Sequence, residues 1–122
     1  MPIELTEART PAGHPLLRND GSGRITGPEV QKLMDAIAEG GRYHGWRQLH
    51  VLAKGAEMSK ESRALVSQQY QDAVQTAVAV VVPSAVLRVT IQFILKVTGD
   101  QRTKLFSDEA SALEWLDAAV AR

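Results

Sequence analysis

The chain has 122 residues, a length that predicts one domain with a single hydrophobic core. It contains no cysteine, so disulfide bonds, thiolate metal sites and cysteine nucleophiles are excluded, in agreement with a reducing cytoplasm. Fourteen basic residues balance fourteen acidic ones, which argues against binding to nucleic acid. The longest uninterrupted apolar run, residues 77–82, is too short to cross a bilayer, and we expect a soluble cytoplasmic protein without membrane insertion.

The first predicted elements are two strands, at residues 3–7 and 16–18, joined by a Pro-Ala-Gly turn. The segment that follows, residues 18–30, resembles part of an EF-hand calcium loop with Gly23 at the sixth position. In that alignment Arg18 stands first, where the ion requires a carboxylate. We therefore predict a turn and not a calcium site.

The same stretch predicts the start of the first helix. Thr26 is a predicted N-cap, Glu29 completes a capping box three residues later, and Pro28 suits the first helical turn. Gly40 and Gly41 predict the left-handed end of this helix. Between these ends, apolar residues recur at helical spacing at Val30, Leu33, Met34 and Ile37.

The rest of the chain alternates between strands and helices. The predicted elements are strands at residues 48–54, 76–82 and 103–106 and helices at residues 59–74, 84–99 and from 108 onward. Ser59, Ser84 and Asp108 are the predicted N-caps of these helices. The last helix is predicted to face inward with Ala112, Leu113, Leu116 and Val120. Because parallel neighbours need crossover helices, this order predicts an α/β domain with a mostly parallel sheet.

Four stretches of the sequence together resemble a known family. They are GRIT at residues 23–26, AVAVVVPS at residues 77–84, AVLRVTIQFILKVTG at residues 85–99 and KLFSDEASALEWL at residues 104–116. The chain resembles the SpoIIAA-like proteins, also called STAS/SEC14 domains, and the predicted domain spans residues 1–122. The resemblance implies a five-stranded mixed sheet with four helices. It also implies a non-catalytic domain that binds a protein partner or a small apolar ligand.

One position in this family pattern suggests regulation. In related anti-sigma-factor antagonists, a phosphorylatable serine opens the second helix within an Asp-Ser-Ser-Gly-like motif. Residues 57–62 read EMSKES here, and only Ser59 matches in position. Ser59 is therefore interpreted as a plain N-cap, with a phosphorylation switch as the alternative.

The third predicted helix is the most informative element. Arg88, Gln92 and Lys96 form one narrow polar stripe. Apolar side chains cover roughly 240° of the remaining circumference, whereas a helix on a sheet usually needs an arc a little over about 100°. These side chains are Val86, Leu87, Val89, Ile91, Phe93, Ile94, Leu95 and Val97. We expect the surplus to meet an adjacent helix, a protein partner, a second subunit or an apolar ligand.

A second candidate surface is the edge of the sheet at which the parallel strands end and the next helices begin. It gathers Thr26, Met58, Ser59, Pro83, Ser84 and Ser107. Free amides at these helix starts favour an anionic head group, with Arg88 one turn along its helix. The simpler interpretation is that the serines and water satisfy the amides.

The leading hypothesis is a non-enzymatic regulatory or protein-binding module that acts through the third helix and this edge, by meeting a protein partner or a second copy of itself. The alternative is a carrier or sensor of a lipid or other apolar small molecule, held beneath the helix. The residues assigned to binding are Met58, Ser59, Ser84, Val86, Leu87, Arg88, Ile91, Phe93 and Ile94.

No pattern in the sequence indicates catalysis or a metal. His14, His44 and His50 lack the spacing of zinc ligands, and His50 is predicted as a paired interior residue of its strand. A Ser-His-Asp order and a glycine-rich phosphate loop are also missing. Residues 41–47 are predicted as a surface connection with Trp46 at the core edge, not as a base-stacking site. We predict no cofactor, no metal and no enzymatic activity.

Overall fold

The structure, a computed structural model, describes residues 3–73, 76–98 and 102–118. In chain order the elements are β1 (Ile3–Arg9), β2 (Pro15–Gly21), β3 (Arg24–Ile25), α1 (Gly27–Ile37), β4 (Arg47–Leu52), β5 (Glu57–Met58), α2 (Lys60–Ala73), β6 (Val78–Val81), α3 (Ala85–Thr98), β7 (Thr103–Phe106) and α4 (Glu109–Ala118). Three positions included in the predicted helices, Val74, Gly99 and Val120, lie outside the described residues. None of the described helices is long and apolar enough to cross a membrane.

Five strands form one sheet in the order β1-β2-β4-β6-β7. β1 runs antiparallel to β2, and the other neighbouring pairs are parallel. Each parallel step passes through a helix, as such connections require. The predicted α/β class, with a five-stranded mixed sheet and four helices, is confirmed.

A second, two-stranded sheet of β3 and β5 was not predicted. Each strand has two residues, which is too short to show the alternation that identifies a strand in a sequence. Gly23, with a left-handed φ of 60°, turns the chain from β2 into β3. Because β3 precedes α1 and β5 precedes α2, this small sheet holds the starts of the two helices side by side.

The five-stranded sheet is covered on both faces, because alternate residues of a strand point to opposite sides. Leu17 and Val80 belong to the core under α1, α2 and α3, and Leu49 and Val81 belong to the core under α4. The predicted apolar stripe of α1 is buried in the first core, and Leu116 of α4 is buried in the second. Three helices thus cover one face of the sheet, and α4 covers the other.

The predicted capping box at the start of α1 is wrong. Thr26 occupies the N-cap position, but its side chain makes no capping hydrogen bond, and Glu29 does not complete the box. A capping oxygen accepts from the second or third amide of a helix, and the second residue here is Pro28, which has no N–H. The proline that marks the helix start therefore removes one of the two donors that the cap needs.

The end of α1 also differs from the prediction. The helix stops at Ile37, because Ala38 already has an extended backbone with φ −67° and ψ 164°. Gly40 is left-handed, with φ 86°, but it lies in the following turn and not at the helix end. Gly41 fits closely behind the helix, since a Cβ atom there would lie 2.5 Å from a carbonyl oxygen of α1.

The other three helices begin with side-chain caps. Ser59, Ser84 and Asp108 lie directly before α2, α3 and α4. Their oxygens accept hydrogen bonds from first-turn amides, at 3.1 Å from Ser62, 3.3 Å from Leu87 and 2.8 Å from Ser111. These contacts satisfy amides that a helix start would otherwise leave without partners.

Candidate functional site

α3 has one buried and one exposed apolar face. Leu87, Ile91 and Ile94 are buried beneath the helix. At 100° per residue, four other apolar side chains fall within an arc of about 80° on the outer side. These four, which we call the α3 stripe, are Val86, Val89, Phe93 and Val97, with 80%, 65%, 66% and 63% of their surface exposed. Apolar side chains that are this exposed and contiguous often mark an interaction surface.

The neighbouring helix α2 leaves the α3 stripe uncovered. A groove of about 430 Å³ separates the two helices. Its α3 wall includes Val89 and Phe93, and its α2 wall includes the exposed side chains of Lys60 and Arg63. Among the described residues, these two basic side chains form no salt bridge. The groove therefore has an apolar side and a basic side.

Two serines and the arginine of the predicted anion site at the edge of the sheet are engaged in contacts within the protein. The hydroxyl oxygens of Ser59 and Ser84 accept hydrogen bonds from first-turn amides of α2 and α3. Arg88 donates from Nη2 to the carbonyl oxygens of Val82 and Phe106, at 3.2 and 3.3 Å, and to the hydroxyl of Ser107 at 3.3 Å. Arg88 thus ties the start of α3 to the ends of β6 and β7, where it stabilises the edge.

An inner cavity of about 100 Å³ lies between the sheet and the three helices α1, α2 and α3 that cover one of its faces. Twelve of its fifteen lining residues are apolar, and those from α3 include Ile91 and Ile94. The three polar lining residues are Asn19, His50 and Thr103. The buried side of α3 is therefore the wall of a cavity and not only a packed core.

A buried polar network borders this cavity. Asn19 and His50 are neighbours in the register of β2 and β4, with 4% and 7% of their surface exposed. Asn19 Nδ2 lies 2.9 Å from His50 Nδ1, and His50 Nε2 lies 2.9 Å from Gln48 Oε1. Burial lowers the pKa of His50 from 6.5 to about 4, so its ring is neutral at pH 7. His50 is a paired interior residue, in agreement with the sequence analysis.

The amide atoms that face the neutral ring fix its tautomer. Nε2 of His50 donates to the Gln48 oxygen, so Nδ1 accepts from the amide of Asn19. Asn19 Oδ1 is left buried without a hydrogen-bond partner. A buried amide oxygen without a donor is unusual and calls for an explanation.

The structure separates the residues that the sequence analysis grouped as one site. Val86 and Phe93 lie on the α3 stripe, whereas Leu87, Ile91 and Ile94 face inward. Met58, at the end of β5, is half-buried and lines the inner cavity, and the two serines and Arg88 hold helix starts in place. Sequence reasoning missed Val89 and Val97 as site residues, although their spacing of four residues from Phe93 places them on its face. It also missed Asn19, because an Asn-Asp-Gly sequence is typical of a turn.

The connection at residues 41–47 lies on the surface as predicted. Trp46 packs against the edge of the first core and meets the ring of Tyr43 edge-on, with the ring centres 5.0 Å apart. Arg42 forms a 2.6 Å ion pair with Glu7, and hydrogen bonds from Arg42 and Tyr43 lower the pKa of the Glu7 carboxyl. This cluster ties the connection to β1.

A second ion-pair cluster joins the sheet to α4. Arg18 lies 2.6 Å from Glu109 and 3.0 Å from Asp20. The hydrogen bond to Glu109, and to a smaller extent the one to Asp20, raises the pKa of Arg18. In the described part of the chain, no group of three or more His, Cys, Asp or Glu side chains is arranged to hold a metal ion.

Comparisons with known proteins agree with this architecture. The model of the DUF7793 family, a domain of unknown function, matches residues 30–120. No curated protein matches the chain. The crystal structure of an uncharacterized protein of the DUF3478 family with a SpoIIAA-like fold, from Shewanella loihica PV-4, is similar, with a TM-score of 0.62 and 17% sequence identity over 93% of each chain. This similarity confirms the SpoIIAA-like fold expected from the sequence.

Proposed function

The chain belongs to the DUF7793 family, and we propose that it is a non-enzymatic protein-binding module that holds a partner along the α3 stripe. The observation that carries this proposal is the exposure of four apolar side chains on one helix face, each more than 60% accessible. Removal of such surface from water is the main favourable term in most protein association.

The shape of the surface suits a helical segment of the partner. From Val86 to Val97 the α3 stripe is about 16 Å long, at 1.5 Å per residue. The groove beside it is bounded by a second helix, α2. An amphipathic helix recognises such a groove by placing apolar residues at i, i+3, i+4 and i+7 into it.

The charge of the groove favours an acidic partner over a second copy of this chain. Lys60 and Arg63 line the α2 wall, and Lys96 is exposed on α3. In a two-fold symmetric dimer the same patch meets itself, so these like charges would approach one another. A partner helix with an apolar stripe and acidic flanks instead pairs each basic side chain with an opposite charge.

The same side chains support the non-enzymatic part of the proposal. Valine and phenylalanine have no group that transfers a proton or attacks a substrate. The nearby polar groups of Ser59, Ser84 and Arg88 are engaged in caps and backbone contacts. This surface is suited to contact and not to chemistry.

The test compares Phe93→Asp with Gln92→Asp, a matched control that adds the same charge one residue away, at an exposed position outside the stripe. Binding partners are first retained from native cytosol on the immobilised wild-type chain, and the affinity of each is then measured by calorimetry. Full burial of a phenylalanine contributes about 1.5–3 kcal/mol, and most of the Phe93 side chain is exposed. We expect Phe93→Asp to weaken the partner at least about tenfold and Gln92→Asp to weaken it less than about threefold.

Reversal of the groove charge gives a second measurement. Lys60→Glu and Arg63→Glu should weaken an acidic partner, and the loss should shrink as salt is added. Equal affinity of all variants for every retained protein would refute the α3 stripe as the docking surface. If light scattering instead shows a wild-type dimer that Phe93→Asp converts to a folded monomer, the occupant is a second copy.

A further inference from the structure

The inner cavity differs from the docking surface in position and in chemistry. It lies on the buried side of α3, while the α3 stripe is on the outer side. Its volume, about 100 Å³, is two thirds of the roughly 150 Å³ apolar cavity that accepts benzene in an engineered protein. Its lining includes four half-buried side chains, which mark where it approaches the surface: Met58, Val66, Leu95 and Thr103.

The lining is uncharged and mainly apolar. Met34, Val80 and Ile91 present side chains from α1, the sheet and α3. The ring of His50, which would be the only titratable group among the lining residues, is held neutral by its buried position between two amides. Such a lining rejects ions and offers a water molecule few partners, since an ordered water usually makes about three hydrogen bonds.

The side-chain oxygen of Asn19, one of the lining residues, is the observation that indicates a ligand. Asn19 is 96% buried, its Nδ2 donates to His50, and its Oδ1 has no partner within the described residues. An acceptor in that position lacks the donor that a buried amide oxygen normally has.

We propose that the inner cavity binds a small uncharged molecule that is mainly hydrocarbon and carries one hydroxyl or N–H group, which donates to Asn19 Oδ1. The hydrocarbon part packs against Met34, Val80 and Ile91. A ligand of about four to five non-hydrogen atoms fits the volume, since a cavity half as large again accepts the six carbon atoms of benzene. This site is independent of the α3 stripe, and either can fail without the other.

Two isomers provide the test, because 1-butanol and methyl propyl ether have the same atoms but only the alcohol donates a hydrogen bond. Each is titrated into methyl-labelled wild-type protein and followed by NMR. We expect intermolecular nuclear Overhauser effects from the 1-butanol methyl group to the methyl groups of Met34, Val80 and Ile91. The alcohol should bind about fivefold more tightly than the ether, the usual effect of one hydrogen bond.

Variants separate the cavity from its polar end. In Asn19→Leu the alcohol and the ether should bind equally, because the acceptor is gone. Val66→Phe fills the cavity from a half-buried position on α2 and should abolish binding of both, whereas Gln68→Phe, at an exposed position on the same helix, should leave both unchanged.

Three results would overturn the proposal. Equal binding of the two isomers by the wild-type protein would show that Asn19 Oδ1 accepts no hydrogen bond from the ligand. Tighter binding of the ether would show that Asn19 turns its Nδ2 donor toward the ligand instead. Nuclear Overhauser effects from bound water to the cavity methyl groups, with none from 1-butanol, would show that the cavity holds water and no ligand. The comparison of isomers uses the wild-type chain, so it does not depend on whether a variant folds.

Discussion

His50 makes the stability of this protein depend on pH in a predictable window. Burial holds the pKa of the folded residue at about 4, against 6.5 for an exposed imidazole. Between these values the unfolded chain binds a proton and the folded chain does not. The free energy of unfolding therefore rises with pH, and the stabilisation is complete above pH 6.5 and lost as the pH falls toward 4.

The size of this effect follows from the two pKa values. The difference between pKa values of 6.5 and about 4 corresponds to about 3 kcal/mol when the pH is below both values. Between pH 7 and pH 5 the loss from this residue is about 2 kcal/mol. This narrower window is the better one to measure, because carboxylates contribute mainly below pH 5.

The assay is urea unfolding at half-unit steps from pH 7 to pH 5, for the wild-type protein and for His50→Gln. Glutamine keeps an amide that hydrogen-bonds Asn19 but has no proton to gain. The two proteins are otherwise identical, so the contributions of all other groups cancel in the comparison. We expect the wild-type protein to lose about 2 kcal/mol more than the variant across this window. Parallel pH profiles for the two proteins, or an NMR titration of His50 near 6.5, would refute the reasoning.

Two further comparisons test local structure by chemical denaturation. Ser59→Ala should cost about 1 kcal/mol because the hydroxyl caps α2, while Thr26→Ala should cost less than about 0.5 kcal/mol because that side chain caps nothing. A similar loss for both would contradict the assigned hydrogen bonds. Gly41→Ala should destabilise by about 1–3 kcal/mol, because the new Cβ meets backbone carbonyl oxygens of α1. Gly27→Ala should cost under about 1 kcal/mol, because the three atoms nearest its Cβ all belong to the flexible Glu61 side chain. An equal loss for the two glycines would show that the backbone near Gly41 yields.

The elements that the sequence predicts best are those with a strong local signal. The β-branched run around β6 and the apolar spacing of α1 and α3 identify those elements without reference to the rest of the chain. β2 was predicted too short, because Asn19 to Gly21 favour a turn in isolation. In the structure they pair with β1 on one side and β4 on the other, and this tertiary pairing overrides the local preference.

The candidate site was predictable only in part. The wide apolar arc of α3 is visible in the sequence, but the half that remains exposed depends on where α2 packs, which is a non-local property. Leu87 and Ile94 were therefore grouped with Phe93, although both are buried and lie about 100–120° around the helix from it. The unpaired oxygen of Asn19 could not be predicted, because it results from the register of β2 and β4 and the state of His50.

The placement of α4 has a consequence for synthesis of the protein. It follows all the described strands in chain order, and among the described helices it alone covers the second face of the sheet. A nascent chain that has emerged only as far as β7 possesses all five strands of the large sheet but still exposes Leu16, Leu49 and Val81 to water. Until α4 emerges from the ribosome, that open face is a target for chaperones and for aggregation with other nascent chains.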